Sequence, residues 1–225
     1  NTPEVIQEET VEEVATEVVV LPPPTLVSPT EVVAERFFTD EFDVDRGDWD
    51  FFYVGDGDSE KISITHDDSY LKVDFDEMNM YMYSIYTPHD YESVRVTMSA
   101  ENRGRNNNNV SLVCNYSDIG WYEFSVESGG LWYVYAYIAD ASYEHPGYNV
   151  IANGGARSLK QGKEVNEYAL ECDGNELTLW VNDVELQKVR DPRFALTDGK
   201  VGFNISSLNV LPITVNLDWF RIEQP

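Results

Sequence analysis

The sequence has few basic residues: 15 Lys and Arg stand against 41 Asp and Glu, which gives a formal net charge of −26. Such a field repels phosphate backbones and anionic lipid surfaces, so nucleic acid and membrane surfaces are poor candidate partners, and we predict neither nucleic-acid binding nor membrane insertion. Keeping a secreted protein soluble is the simplest role for this acidity. Binding of divalent cations is the alternative.

The chain also lacks long apolar runs and is poor in cysteine. No run approaches the ~20 residues that span a bilayer. The two cysteines, Cys114 and Cys172, fit one disulfide in an oxidising compartment, with two buried free thiols as the alternative. The sequence starts at Asn1, which we expect of a processed chain. We therefore predict a secreted, extracellular or cell-surface protein.

Aromatic and β-branched residues, which favour β-strands, are abundant in the sequence. Aromatic residues make up 13% of the chain, with 14 Tyr, and they favour a pleated, half-buried surface. Residues 70–75 alternate polar and apolar side chains with a period of two, and similar runs follow up to residue 223. Turn residues such as Ser-Gly-Gly (128–130) and Asp-Gly-Asn (173–175) separate them. About eleven short strands predict an all-β fold, a two-sheet antiparallel β-sandwich with an extended N-terminal arm.

Composition divides the chain into three zones. Residues 1–21 form an acidic, valine-rich arm, residues 22–35 a proline-rich linker, and residues 36–225 the sandwich domain. The first 35 residues contain eight Glu and neither Lys nor Arg.

Several stretches of the domain resemble a known fold family. They are "FFTDEFDVDRGDW", "VSLVCNYSDIGWYEFSVESGGLWYVYAY", "NEYALECDGNELTLWVNDVELQKVRDPRFALTDGKVGF" and "VNLDWFRI". Over residues 37–223 the chain is similar to the laminin-G-like, concanavalin A-like jelly rolls of bacterial secreted proteins. The resemblance implies a jelly-roll fold, and domains of that group bind sugars, cleave sugars or build surfaces.

Glycoside hydrolysis requires two carboxyl groups on opposite sides of the scissile bond. The resemblance adds a Glu-x-Asp-x-x-Glu strand motif, whose nearest match ends in Arg46 instead of a third acid. Glu123 and Glu127 share one face of a strand, where we expect ordinary solvent-exposed acids. The sequence also has no Gly-x-Ser-x-Gly motif, and its three histidines fit neither a triad nor a zinc site. We therefore predict that the chain is not an enzyme.

The loop "DVDRGDWD" (43–50) is rich in the oxygen ligands that Ca²⁺ prefers. Asp43, Asp45 and Asp48 are the candidate ligands, although Gly47 stands where an EF-hand-like order needs a third Asp or Asn. Turn chemistry is the alternative role for these residues. No other cofactor is predicted.

Aromatic residues around the Ser-Gly-Gly turn are candidates for stacking on sugar rings. Strand alternation places Tyr133, Tyr135 and Tyr137 on one face and Trp132 on the other, so only one set can be exposed. If the Trp132 face is core, the three tyrosines and Trp121 form a carbohydrate-binding platform, with packing as the alternative role.

The N-terminal arm is predicted to dock as a strand, since consecutive β-branched residues at 18–20 disfavour the helix that a capping box at residue 10 would begin. The docking residues would be Val14, Val18, Val19, Val20 and Leu21. The proline linker, residues 22–33, spans ~35–40 Å at ~3.1 Å per residue. That length favours docking on a neighbouring copy, with docking on its own domain or on another partner as alternatives.

These features together predict a secreted structural protein that self-assembles, by strand donation, into a homopolymeric filament. A carbohydrate-binding module with glycan partners is the alternative.

Overall fold

The computed structural model describes residues 34–67, 69–139 and 141–225. The predicted arm and its docking residues, Val14 to Leu21, lie outside these residues, as does most of the linker. The described part forms fifteen β-strands and one 3₁₀ turn, Ser59–Lys61. The strands are β1 Phe38–Asp40, β2 Trp49–Val54, β3 Ile62–Asp67, β4 Tyr70–Phe75, β5 Tyr81–Tyr91, β6 Ser93–Asn102, β7 Asn108–Tyr116, β8 Gly120–Glu127, β9 Leu131–Ile138, β10 Gly147–Gly155, β11 Val165–Asp173, β12 Glu176–Val181, β13 Val184–Arg190, β14 Gly199–Ser207 and β15 Ile213–Glu223.

The strands form two antiparallel sheets. The eight-stranded sheet has the order β13-β12-β11-β6-β15-β4-β3, with β1 also paired to β15. The seven-stranded sheet has the order β10-β9-β8-β7-β14-β5-β2. The predicted two-sheet antiparallel sandwich is confirmed, and the domain boundary at residue 36 stays a prediction.

Period-two alternation determines which side chains enter the core. In β4, Leu71, Val73 and Phe75 are buried, whereas the residues between them are only partly buried. In β9, Trp132 is 4% exposed, whereas Tyr133, Tyr135 and Tyr137 stay partly buried on the opposite face. Burying one apolar face of each sheet against the other stabilises the sandwich, since each fully buried Val or Leu contributes about 1.5–3 kcal/mol.

A disulfide crosses this core. It joins Cys114 of β7 in the seven-stranded sheet to Cys172 of β11 in the eight-stranded sheet, and both residues are fully buried. It therefore connects the two layers directly.

Among the described residues, no helix has the length and apolar character needed to cross a bilayer.

Candidate functional site in the open face

The seven-stranded sheet presents one face to the core and the other, here called the open face, away from it. The open face carries an unusual mixture of aromatic and small polar side chains. They include Phe52 on β2, Tyr81, Tyr83 and Ile85 on β5, Asn204 and Ser206 on β14, Asn109, Ser111 and Val113 on β7, Trp121, Glu123, Ser125 and Glu127 on β8, Tyr133, Tyr135 and Tyr137 on β9, and Tyr148 on β10.

The sheet curves towards its open face. Tyr83 of β5 and Tyr148 of β10 are joined by a hydrogen bond between their hydroxyls. Five strand steps separate β5 from β10, and these would amount to ~24 Å in a flat sheet at about 4.8 Å per step. The two side chains can meet only because the sheet bends, so the open face is a cleft with β8 on its floor.

A carboxyl group is buried in the floor of this cleft. Glu123 is 3% exposed, and Tyr83 donates a 2.7 Å hydrogen bond from its hydroxyl to Glu123 Oε2. Burial raises the pKa of Glu123, because removing a carboxylate from water disfavours its charged form. Hydrogen bonds from Tyr83, Ser111 and Trp121 favour the charged form and partly offset this increase. Burial and the nearby Glu123 also raise the pKa of Tyr83 well above its usual value. The tyrosine is therefore a hydrogen-bond donor throughout the ordinary pH range.

The floor beside Glu123 consists of short polar side chains. Ser111 donates to Ser125 at 2.9 Å between their hydroxyl oxygens. Asn204 donates its amide to the carbonyl of Met82 at 3.1 Å. These residues leave the space above them open because their side chains are small.

A cavity of about 230 Å³ lies above this part of the floor. We call it the Glu123 pocket, and its lining residues are Tyr81, Asn109, Glu123, Ser125, Tyr135 and Tyr148. The Oδ1 atom of Asn109 is buried and accepts no hydrogen bond from the described residues. A buried acceptor without a partner costs about 1–3 kcal/mol, so a ligand that donates to this atom would gain affinity.

The other end of the cleft is filled by its own side chains. In this aromatic cluster Trp121 stacks on Tyr137 with 4.1 Å between ring centroids, and Phe52 stacks on Tyr83 at 4.9 Å. Tyr116 packs against Trp121 at 5.2 Å. The cluster buries Trp121, which is 4% exposed, so this predicted platform residue is not available for stacking on a sugar.

Of the other predicted platform residues, only Tyr135 lines the Glu123 pocket. Tyr133 stacks on Tyr135 at 5.6 Å, and Tyr137 belongs to the aromatic cluster. The sequence analysis did not identify the pocket residues Tyr81, Ser125 and Tyr148. It also misplaced Glu123, which is buried and not on a solvent face.

The candidate calcium ligands lie in the loop between β1 and β2. Asp45 accepts a hydrogen bond from the Gly47 amide at 2.9 Å, and Asp48 pairs with Arg46 at 3.3 Å. Across residues 34–67, 69–139 and 141–225, no group of three or more His, Cys, Asp or Glu could hold a metal ion. The structure therefore does not gather Asp43, Asp45 and Asp48 into a ligand set, and calcium binding stays an untested prediction.

Comparison with solved structures shows the fold. A Bacillus subtilis protein of unknown function with a galectin-like fold aligns at a TM-score of 0.63 and 12% identity, over 83% of this chain and 94% of its own. This chain shares the fold of that galectin-like β-sandwich. A Bacteroides ovatus mixed-linkage glucan GH16 protein, in complex with the G4G4G3G product, aligns at a TM-score of 0.62 and 12% identity. The alignment covers 83% of this chain and 99% of that protein. The carbohydrate-binding module CBM66 from Bacillus subtilis aligns at a TM-score of 0.53 and 12% identity, over 76% of this chain and 92% of the module. No family model and no curated protein matches the sequence.

These similarities correct one expectation. We predicted from sequence that the chain is not an enzyme, and that exclusion is wrong, because β-1,3-1,4-glucanases and β-1,3-glucanases share this sandwich. The nearest match to the Glu-x-Asp-x-x-Glu motif does not lie on a strand of the sheet. Glu41 and Asp43 lie in an exposed loop, whereas the buried Glu123 and the partly buried Glu127 both lie on the floor strand β8.

Proposed function

We propose that this protein binds carbohydrate in the Glu123 pocket. The observation that carries the proposal is the pocket itself: a concave site in which the rings of Tyr81, Tyr135 and Tyr148 surround a floor of hydrogen-bonding groups. Ligand sites are typically concave, with apolar and aromatic walls and a few well-placed polar groups. Sugars match such a site because they offer apolar C–H faces to aromatic rings and hydroxyls to polar side chains.

The polar groups of the pocket can both donate and accept. Ser125 carries a hydroxyl, Asn109 carries an amide with an unpaired buried oxygen, and Glu123 carries a carboxyl group whose pKa is raised by burial. Sugar hydroxyls also donate and accept hydrogen bonds, so one sugar ring can provide partners for all three of these side chains. The fold neighbours support this proposal, since a carbohydrate-binding module and glucanases share the sandwich.

Glycoside hydrolysis is a second candidate function. Glu123 and Glu127 lie on the same face of β8 four residues apart, which places their Cα atoms ~13 Å from each other. A carboxyl group with a raised pKa stays protonated at higher pH, as a general acid needs. Ser125 occupies the position between them, so this strand offers two carboxyl groups and not three.

The test is binding to three named polysaccharide preparations: β-1,3-glucan, β-1,3-1,4-glucan and mucin O-glycans, measured by affinity electrophoresis and calorimetry. We expect binding to at least one, and Tyr135→Ala and Asn109→Ala should each weaken it about tenfold, the effect of losing ~1.4 kcal/mol. Tyr53→Ala, which removes a tyrosine that is 38% exposed on β2 outside the pocket, is the matched control and should bind normally.

Absence of binding to all three preparations would contradict the proposal. Equal weakening by Tyr53→Ala would do so as well, because it would mean that a general surface effect is measured. Assay of new reducing ends in the same samples tests the second candidate, for which Glu123→Gln should abolish release of product.

Self-assembly of a secreted structural protein is a separate prediction. It rests on Val14, Val18, Val19, Val20 and Leu21, which lie outside the described residues. The fold neighbours do not support a filament, whereas they do support glycans as partners. Assignment to the laminin-G-like branch of the fold likewise stays a prediction.

A further inference from the structure

The shape of the cleft limits which part of a glycan can enter it. We propose that the Glu123 pocket takes a terminal sugar residue, at a chain end, and excludes the interior of a polysaccharide chain. This inference rests on the proposed carbohydrate binding and specifies its ligand class. It follows from the walls of the pocket on three sides and from its size.

One wall is the aromatic cluster. The Tyr83 ring is in contact with Trp121, at 5.4 Å between centroids, and Trp121 stacks on Tyr137. These side chains fill the cleft at the Trp121 end of β8. A sugar chain lying along β8 over Glu123 cannot continue in that direction because the rings occupy its path.

Tyr148 of β10 and Tyr83 of β5 form the second and third walls, on the two sides of the cleft that run parallel to β8. Tyr148 leans over the floor from β10, with its ring 5.4 Å from Tyr135, 4.8 Å from Tyr137 and 6.2 Å from Tyr81. Its hydroxyl is hydrogen-bonded to that of Tyr83, so side chains from the two sides of the cleft meet above the floor. A chain that crosses the strands is therefore blocked by this tyrosine bridge.

The side of the pocket that these rings do not close lies towards Ser125 and Asn109, at the Glu127 end of β8. The pocket of about 230 Å³ is smaller than the ~300–1,000 Å³ of sites that enclose drug-sized ligands. It suits one sugar ring. Because rings close the pocket towards the Trp121 end of β8 and across the strands, and because it has room for one ring, it fits the end of a chain whose other residues extend into solvent.

A comparison of intact and shortened chains tests this inference. β-1,3-Glucan, β-1,3-1,4-glucan and mucin O-glycans are each offered as competitor before and after partial acid hydrolysis, at equal mass. Hydrolysis multiplies chain ends and leaves the total sugar unchanged. We expect the hydrolysate of a preparation that binds to compete several-fold better per unit mass than the intact material.

Two variants of the bridging tyrosine sharpen the test. Tyr148→Ala removes the wall, so we expect intact chains to compete as well as their hydrolysates. Tyr148→Phe keeps the ring and loses only the hydroxyl, so the preference for hydrolysates should persist. Tyr53→Ala on β2 is the control and should retain the preference, and circular dichroism of each variant establishes that it is folded.

The outcomes separate this inference from the function on which it rests. Binding of intact chains equal to or better than that of hydrolysates by the unaltered protein overturns the terminal-residue inference and leaves carbohydrate binding in place. No binding of any preparation in either form overturns both. Persistence of the preference in a folded Tyr148→Ala protein overturns the role assigned to the tyrosine wall.

Discussion

Glu123 occupies an environment that carboxyl groups usually avoid. It is almost fully buried, and its charge would face the side chains of Tyr83, Ser111 and Trp121, with no basic side chain among the residues that line the pocket. Acids are rarely buried without a cationic partner. A protein that keeps one here accepts lower stability in exchange for a polar group at the floor of the pocket, which is the pattern expected of a functional residue.

We predict that this residue makes the protein less stable at high pH. Because the pKa of Glu123 is raised in the folded state, the folded protein holds a proton that the unfolded chain releases at lower pH. Stability is then fully present below the unfolded pKa and declines as pH rises through the folded pKa, by at most about 1.4 kcal/mol per pH unit. Urea unfolding of Glu123→Gln should show a flatter dependence on pH than the unaltered protein.

Glu127→Gln is the control for that measurement. It removes the same charge from the same strand, at a partly exposed position, where substitutions usually change stability by less than about 0.5 kcal/mol. If Glu123→Gln and Glu127→Gln altered the pH dependence equally, loss of net charge and not burial would be the cause.

At the scale of single elements, β14 lies tightly against its neighbour β5. A Cβ atom added at Gly202 would be 2.1 Å from the Ser84 carbonyl oxygen and 2.9 Å from Ile85 Cδ1. Contacts under 3.0 Å force the strands to move, so the absence of a side chain at this position sets the spacing of β14 and β5 beneath the cleft.

We therefore expect Gly202→Ala to destabilise the protein by about 1–3 kcal/mol, the usual cost of overpacking. Gly155→Ala on the edge strand β10 is the matched control, because an added Cβ there meets nothing within 4 Å. Removing a strand glycine should be neutral or should stabilise by up to ~1 kcal/mol. Chemical unfolding of the two variants measures both values, and equal stabilities would contradict the steric explanation.

Alternation along each strand was sufficient to predict the sandwich and to separate Trp132 from Tyr133, Tyr135 and Tyr137. It could not predict which outward-facing side chains are covered. Glu123 is buried by Tyr83, 40 residues earlier in the chain. Such contacts depend on how the sheet curves, and local sequence patterns carry no information on that curvature.

At the scale of the whole molecule, the fold brings these long-range contacts together. The seven-stranded sheet supplies the site, and the eight-stranded sheet supplies the core surface against which it bends. The disulfide between Cys114 and Cys172 connects the two layers. Since β7 carries both Cys114 and the pocket residue Asn109, the strand that forms part of the pocket floor is covalently fixed to the opposite sheet.

The net charge of −26 also acts on the whole molecule. Repulsion among like charges disfavours the compact state, and salt screens it, because the Debye length falls from ~30 Å at about 0.01 M to ~3 Å at about 1 M. We predict that sodium chloride over this range raises the midpoint of thermal unfolding near neutral pH by a few degrees, where ~1 kcal/mol corresponds to about 2–4 °C. Calorimetry at about pH 5, closer to the sequence pI of about 4.2, is the control. The shift should be smaller there, and an equal shift at both pH values would mean that salt acts through something other than the acidic surface.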